Sequence, residues 1–315
     1  MYALGIDLGG TNIKAALVHQ RDGISELKSI PTQAKDGLEP TLERIAELIN
    51  SFSLRDRETL AGVGIGAPGM ISLDRKSVRN PPNLPGWTEV HLAAEIQSRT
   101  GLPAILENDA NLMALGSARF GAGFGQEHFI MITLGTGVGG GIIYNNRIFR
   151  GASGAAGELG HITIDYAGAT CNSTVTGAIE GYLGQRFLSQ RAAEVIRKHP
   201  ENALFETFSK DWPKLEPMHL TEAAEIGNEL AIEILKDAGE KLGYALVNYI
   251  HTLDITTIIV SGGVSKAGKW ILKPAEKVAL EQLMPPFRPR FNIITEQLGN
   301  EAALLGAAAL AFENL

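Results

Sequence analysis

One cysteine, Cys171, stands in a chain of 315 residues. It excludes an intrachain disulfide and with it the stapled scaffolds of small secreted proteins, so a cytoplasmic protein is expected. Positive charge is also short: 28 Lys and Arg against 35 Asp and Glu give a formal net charge of −7. A nucleic-acid-binding surface is normally basic, so that class is set aside. An anionic ligand such as a phosphate stays admissible where backbone N–H groups, a metal ion or a few cations offset the field. Long apolar runs are missing. Asp7 interrupts the N-terminal one before it can serve as a secretory signal, and no later run reaches the length of a membrane span. Without such a signal, the glycosylation sequon at Asn172-Ser173-Thr174 is a coincidence. Tandem repeats and low-complexity linkers are absent as well.

What is present is organised around residues 129–143, FIMITLGTGVGGGII: an apolar run, a glycine-rich turn and a second apolar run. The N-terminus follows the same plan, with residues 2–8, then Gly9-Gly10-Thr11, then residues 13–18. Strand, tight glycine turn and strand make a hairpin. Glycine lets such a turn take positive φ and lets a phosphate approach its N–H groups. Two such hairpins far apart in the chain suggest two similar domains serving one phosphorylated ligand. Gly135, Gly137 and Gly140 also satisfy the dinucleotide fingerprint, but that motif needs a helix directly after the turn. Here Gly141 leads into Ile-Ile-Tyr, a turn at Asn145-Asn146, and another short apolar pair, which reads as strands. Residues 263–269, GVSKAGK, fit the first seven places of a Walker A loop; Trp270 stands where a hydroxyl is required, so the match is accidental.

Elsewhere strands alternate with helices, the α/β pattern. Strands are expected at 3–7, 13–19, 24–29, 60–65, 103–106 and 255–260. Helices are expected at 38–52, 91–100, 110–120, 178–199, 220–250 and 298–314. Three prolines and a glycine keep residues 80–87, NPPNLPGW, irregular. The glycine-rich stretch 121–125 reads as a hinge.

The segments GIDLGGTNIKAALV, GIGAPG, NPPNLPGW, ENDANLMALG, ITLGTGVGGGII, GASGAAGELGH and SGGVS together resemble the ROK family of sugar kinases and sugar-responsive repressors. They keep the family's order over residues 5–306. The resemblance implies an actin-like ATPase (ribonuclease H-like) duplicated fold, with two domains around a central cleft. Residues 1–118 and the C-terminal helix 298–315 would form the smaller domain and 119–297 the larger. It also implies a homodimer that phosphorylates a hexose. Repressor members carry an additional N-terminal DNA-binding domain, for which the position of Met1 leaves no room.

By the same resemblance Asp109 in ENDAN matches the catalytic carboxylate. A sugar hydroxyl is a poor nucleophile until its proton has an acceptor, and a carboxylate in reach supplies one. The alternative role for Asp109, read from its position alone, is to cap the following helix. Asn108, Glu158, His161 and Glu180 match positions that bind sugar hydroxyls, and Asn83 is a further candidate. Glu158 and His161, three apart, share a face if that segment turns helically. Asp7, Gly9, Gly10, Thr11 and Asn12 match the first phosphate loop, Thr136 and Gly137 the second, and Gly262 and Gly263 the nucleotide-side turn. Asp7 is expected to act through Mg2+ or its waters, because a bare carboxylate would repel phosphates. Lys14 receives no role.

Family members place a His and then a C-x-C-G-x-x-G-C-x-E run around a structural zinc, with the His and three cysteines as ligands. In this chain His161, Cys171, Gly177 and Glu180 keep the spacing, while Ser173 and Ala178 replace two cysteines and Thr174 replaces the first glycine. The zinc is expected to be lost, since such a site wants four ligands. The expectation is thus an ATP- and Mg2+-dependent kinase that phosphorylates glucose at C6. The alternatives are a sugar-binding sensor without useful kinase activity, or a kinase for fructose, mannose, allose or an N-acetylhexosamine.

Overall fold

The computed structural model describes residues 1–52 and 60–315. The chain forms two compact units. One comprises Met1–His128, Gly141–Gly157 and Glu296–Leu315; the other comprises Phe129–Gly140 and Glu158–Thr295. The domain bounds read from the sequence are drawn differently, since 119–128 and 141–157 group here with the first unit. The glycine stretch 121–125 accordingly lies inside that unit. Gly121 is held there, because a Cβ on it would meet the Glu296 carboxylate at 2.5 Å.

In the first unit, β1 (Tyr2–Leu8), β2 (Asn12–His19) and β3 (Gly23–Pro31) form the antiparallel meander read from the sequence. Gly23, at φ 80°, closes the second turn. Helix α1 (Leu38–Asn50) leads to β4 (Leu60–Ala67), which pairs parallel to β1. Short strands β5 (Met70–Ile71), β6 (Val78–Arg79) and β7 (Glu89–Val90) make a small antiparallel sheet flanking the irregular 80–87 segment. Helix α2 (Leu92–Thr100) ends at Gly101, at φ 73°, the usual left-handed stop. Strand β8 (Ala104–Asn108) pairs parallel to β4 and runs straight into α3 (Asp109–Phe120). The sheet order is β3-β2-β1-β4-β8, a mixed sheet.

Alternation along β1 sends Leu4, Ile6 and Leu8 to one face, against Leu42, Ile45 and Ile49 of α1 and Leu92 and Ile96 of α2. Ala3 faces the other way, toward Leu304, Leu305 and Ala308 in the C-terminal helix. That helix is buried all round, which explains its alanine content: residues 302–311 are all buried. Its backbone comes so close that a Cβ on Gly5, Gly64 or Gly116 would collide with its carbonyl oxygens.

The central hairpin forms as read: β9 (Phe129–Leu134), a glycine turn, and β10 (Val138–Tyr144), with no helix following the turn. The unit boundary falls within β10, and its second half pairs with β11 (Arg147–Ile148) in the first unit.

In the second unit, residues 178–199 are not one helix. Gly184 adopts extended ψ and divides α4 (Glu180–Leu183) from α5 (Gln185–Ile196). After α6 (Ala203–Phe208), the expected 220–250 helix is likewise divided, into α7 (Pro217–Glu225) and α8 (Glu229–Leu253). Gly227 turns the chain with φ 88°, and Asn228 caps α8 by accepting from Ala231 N. Strand β12 (Thr257–Ser261) precedes α9 (Lys269–Gln282), and β13 (Asn292–Thr295) precedes α10 (Glu301–Asn314) of the first unit. Strand β12 lies parallel to both β9 and β13. Among the described residues no helix is long and apolar enough to cross a membrane.

Candidate active site

Within the first unit, Asp7 lies near the C-terminal end of β1, directly across from Lys14 on β2. Residues facing each other in an antiparallel pair project to the same side of the sheet. Lys14, to which the sequence assigned no direction, therefore shares Asp7's face. The turn that follows is tied to itself: Gly9 N donates to Asn12 O at 3.1 Å. Thr32, fully buried at the end of β3, fixes it from behind, its N donating to Thr11 O at 2.8 Å and its hydroxyl to Gly9 O at 2.6 Å. No motif marked Thr32; only the pairing of β2 with β3 reveals it. Gly10 backs onto Asn83, and a Cβ on Gly10 would sit 2.6 Å from Asn83 Cβ. The structure thus brings Asn83 from the proline-rich loop to the glycine turn after β1. Asn83 has φ 66°, a conformation asparagine tolerates better than most residues.

Asp109 is the first residue of α3, and the helix cap is its neighbour. Asn108 Oδ1 accepts from Ala110 N at 3.0 Å and Asn111 N at 3.2 Å. The capping role considered for Asp109 belongs to Asn108, whose side-chain oxygen is thereby engaged. Burial raises the Asp109 carboxyl above the usual carboxylate range, against the hydrogen bond it accepts from Ala110 N at 2.9 Å. Asp7 is pushed up to about 6, by burial first and by the Asp109 charge second, with Lys14 opposing. The Asp7 carboxyl therefore senses the Asp109 charge, and its affinity for a proton is raised.

The β8–α3 junction that presents Asp109 is anchored by Glu107, which is fully buried. One carboxylate oxygen accepts from Asn108 N at 2.9 Å and Asn111 Nδ2 at 3.2 Å. The other pairs with Arg75 Nε at 3.0 Å and Arg150 Nε at 2.8 Å. The Arg150 guanidinium also donates to the carbonyls of Leu73, Ser72 and Ile71 at 2.8, 2.9 and 3.2 Å. One buried carboxylate thus holds both the Asp109 turn and the start of the loop that carries Asn83.

Within the second unit, the turn after β9 is closed by Gly135 N donating to Gly137 O at 2.9 Å. Glu180, buried at the start of α4, accepts from Val138 N at 3.2 Å through a carboxylate oxygen. A Cβ on Gly137 would strike that same oxygen, so a side chain there would displace the Glu180 carboxylate. Glu158 precedes and His161 ends a short 3-10 turn, Leu159–His161, and the two share a face; His161 Nε2 lies 3.6 Å from Glu158 Oε2. Gly262, at φ 98°, passes so close to Leu134 O that no Cβ would fit, whereas Gly263 faces open space. A cavity of about 850 Å³ opens beside Thr136, lined by Gln185, Arg186, Gln190, Arg197 and Trp212 among others. Arg197 lies over the Trp212 ring, 4.8 Å from its centroid. These residues sit on α5 and the loop before α7, where no motif marks them.

The ROK family model matches residues 3–314. The chain belongs to the ROK family. It is 33% identical to a glucokinase of Thermotoga maritima over 312 residues, covering 99% of this chain and 98% of that one. A solved ROK family glucokinase of Streptomyces griseus, in complex with glucose and AMPPNP, is 34% identical; it covers 100% of both chains with a TM-score of 0.83. A Bacillus subtilis xylose repressor is 26% identical, covering 99% of this chain and 77% of the repressor. The fold is thus the actin-like ATPase fold of the ROK sugar kinases.

Against the ROK zinc pattern, the loop has a different donor set. Ser173 Oγ lies 3.0 Å from His161 Nδ1 and 3.0 Å from Cys171 Sγ, while Sγ and Nδ1 are 3.8 Å apart. Ala178 is fully buried and offers no donor. His161, Cys171 and Glu180 each bring one ligand atom within 4.8 Å of the others. The Glu180 carboxylate, however, already accepts from Val138 N. His161, Cys171 and Glu180 thus offer three donors, where a structural zinc site takes four, usually nitrogen or sulfur.

Proposed function

We propose that the protein is an ATP-dependent sugar kinase that phosphorylates glucose at the C6 hydroxyl, with Asp109 as general base. The observation that carries this reading is the placement of Asp109. It heads a helix, is desolvated, sits beside Asp7 and rests on a junction locked by Glu107. A carboxyl with raised proton affinity accepts the hydroxyl proton more readily as the sugar oxygen attacks the γ-phosphoryl group. We assign sugar-hydroxyl binding to Asn83, Asn108, Glu158, His161 and Glu180, whose amide, imidazole and carboxylate groups can donate and accept. Gly9, Gly10, Thr11 and Asn12 receive phosphate oxygens, and Thr136 and Gly137 are assigned the same role, while Asp7 acts through Mg2+. Lys14 adds a cation on Asp7's side of the sheet.

The Asp7 carboxyl, with its raised proton affinity, suits a divalent cation. Asp7 would hold Mg2+ there, directly or through its waters, and the ion would supply charge neutralisation at the phosphates. The adenosine part of ATP lies along Gly262 and Gly263 and enters the cavity beside Thr136, whose volume is in the range of small-molecule sites. The glucokinase relatives, at 33–35% identity, support the substrate, and the solved glucokinase bound to glucose and AMPPNP supports the donor. We further propose a cytoplasmic homodimer.

The test is a coupled assay for ADP release with ATP and a panel of glucose, fructose, mannose, allose and N-acetylhexosamines. Glucose should give the highest kcat/KM, with phosphate at C6. A different preferred hexose would reassign the substrate. The similarity to a xylose repressor favours one second reading, a sugar sensor without useful kinase activity. It would appear as sugar binding with no ADP release.

A further inference from the structure

We propose that Ser173 is a positioning residue for His161: its hydroxyl takes over, without metal, the fixing of the imidazole that carries a sugar-binding hydrogen bond. The proposal rests on the kinase reading only for the identity of the bound sugar. The tip of the loop is shaped by its own backbone. Cys171 N donates to Val175 O at 3.1 Å and Thr174 N to Cys171 O at 3.0 Å, with bridges between Thr163 and Ala178 and between Thr170 and Thr176. Ser173 is thereby set at a fixed place between Cys171 and His161.

Each hydroxyl has one proton to give. An imidazole nitrogen is a good acceptor and a thiol sulfur a weak one, so the Ser173 proton goes to His161 Nδ1. The Cys171 S–H then donates to Ser173 Oγ, and every proton in the chain has a partner. With Nδ1 accepting, the ring proton of neutral His161 resides on Nε2. Nε2 stands 3.6 Å from Glu158 Oε2, too far for a direct hydrogen bond, and both side chains are partly exposed, at 32% and 63%. Donor and acceptor therefore stand side by side without satisfying each other. A polyol suits this pair: one hydroxyl accepts from Nε2–H and gives its own proton to Glu158. The opposite tautomer would present two acceptors and lose the donating half of that exchange.

The test reads the tautomer directly. Two-bond 15N–1H correlation spectra of the 15N-histidine-labelled protein, with His161 assigned from its loss in His161→Gln, should show a protonated Nε2 and an unprotonated Nδ1. Ser173→Ala should shift His161 toward a tautomer mixture, and Ser173→Thr, which keeps the hydroxyl, should restore the wild-type pattern. In the same series Ser173→Ala should raise KM for glucose by roughly tenfold, the worth of one lost hydrogen bond, with a smaller effect on kcat. Metal analysis of protein purified without chelator should find well under one zinc per chain. A protonated Nδ1 in the wild type, an unchanged tautomer in Ser173→Ala, or a stoichiometric zinc that survives EDTA dialysis would overturn the proposal. Absence of any hexose turnover would overturn the kinase reading instead, and the tautomer would still decide this one.

Discussion

Asp7 shows how a single residue trades stability for function. Its carboxyl has an ordinary value of 3.8 and is raised to about 6 in the folded protein. A raised folded pKa favours folding below the unfolded value, and that contribution disappears as pH rises through the folded value. At pH 8 the ionised, half-buried carboxylate is therefore a net cost, while at pH 4 the folded protein holds it neutral. Asp7→Asn should raise the melting temperature of the ligand-free protein at pH 8 and change it little at pH 4, while abolishing Mg-ATP-dependent turnover. Destabilisation by this substitution at pH 8 would contradict the account. Thr174 is a second case. It stands where the family pattern has glycine and takes φ 67°, a left-handed value that suits glycine and burdens a β-branched side chain. Thr174→Gly should stabilise the protein by about 1 kcal/mol in urea unfolding, the strain relieved exceeding the entropy added to the unfolded chain.

At the scale of elements, the β8–α3 junction is the structural core of the site. Glu107 joins it to Arg75 and Arg150, and removing one partner from a buried ionic cluster leaves uncompensated charge. Glu107→Ala should cost about 3 kcal/mol in denaturant unfolding. A change within experimental error would show that the cluster carries no net stability. The sequence marked this helix and the motif containing Glu107, because apolar periodicity and family spacing are local. It could not assign the cap to Asn108 or find Arg150 as the tie, because those depend on which loops meet. The same distinction runs through the fold. The strands of the meander and the hairpin after Phe129 were legible from glycine turns between apolar runs. The breaks at Gly184 and Gly227 were not, because apolar spacing continues across them. Helix α9 went unread because Pro274 signals a stop; the helix persists around it while Ile271, Ala275 and Val278 are buried. Thr32 and the cavity beside Thr136 had no local signal at all.

At the scale of the whole molecule, the chain matches glucokinases over nearly their full length and a repressor over 77% of its length. The sugar-binding role proposed for Glu158 and His161 would suit either kind of protein, so it does not separate them. Asp109 acting as a base beside a phosphate turn, as proposed, would distinguish a kinase from a sensor, and the Asp109 charge does raise the Asp7 carboxyl. The most direct test is therefore Asp109→Asn, measured for glucose affinity by calorimetry and for ATP-dependent glucose 6-phosphate formation. The account predicts that glucose binds with nearly wild-type affinity while kcat falls by ~10²–10⁴. Turnover close to the wild-type rate in that variant, or a wild-type protein that binds glucose and forms no sugar phosphate, would contradict it.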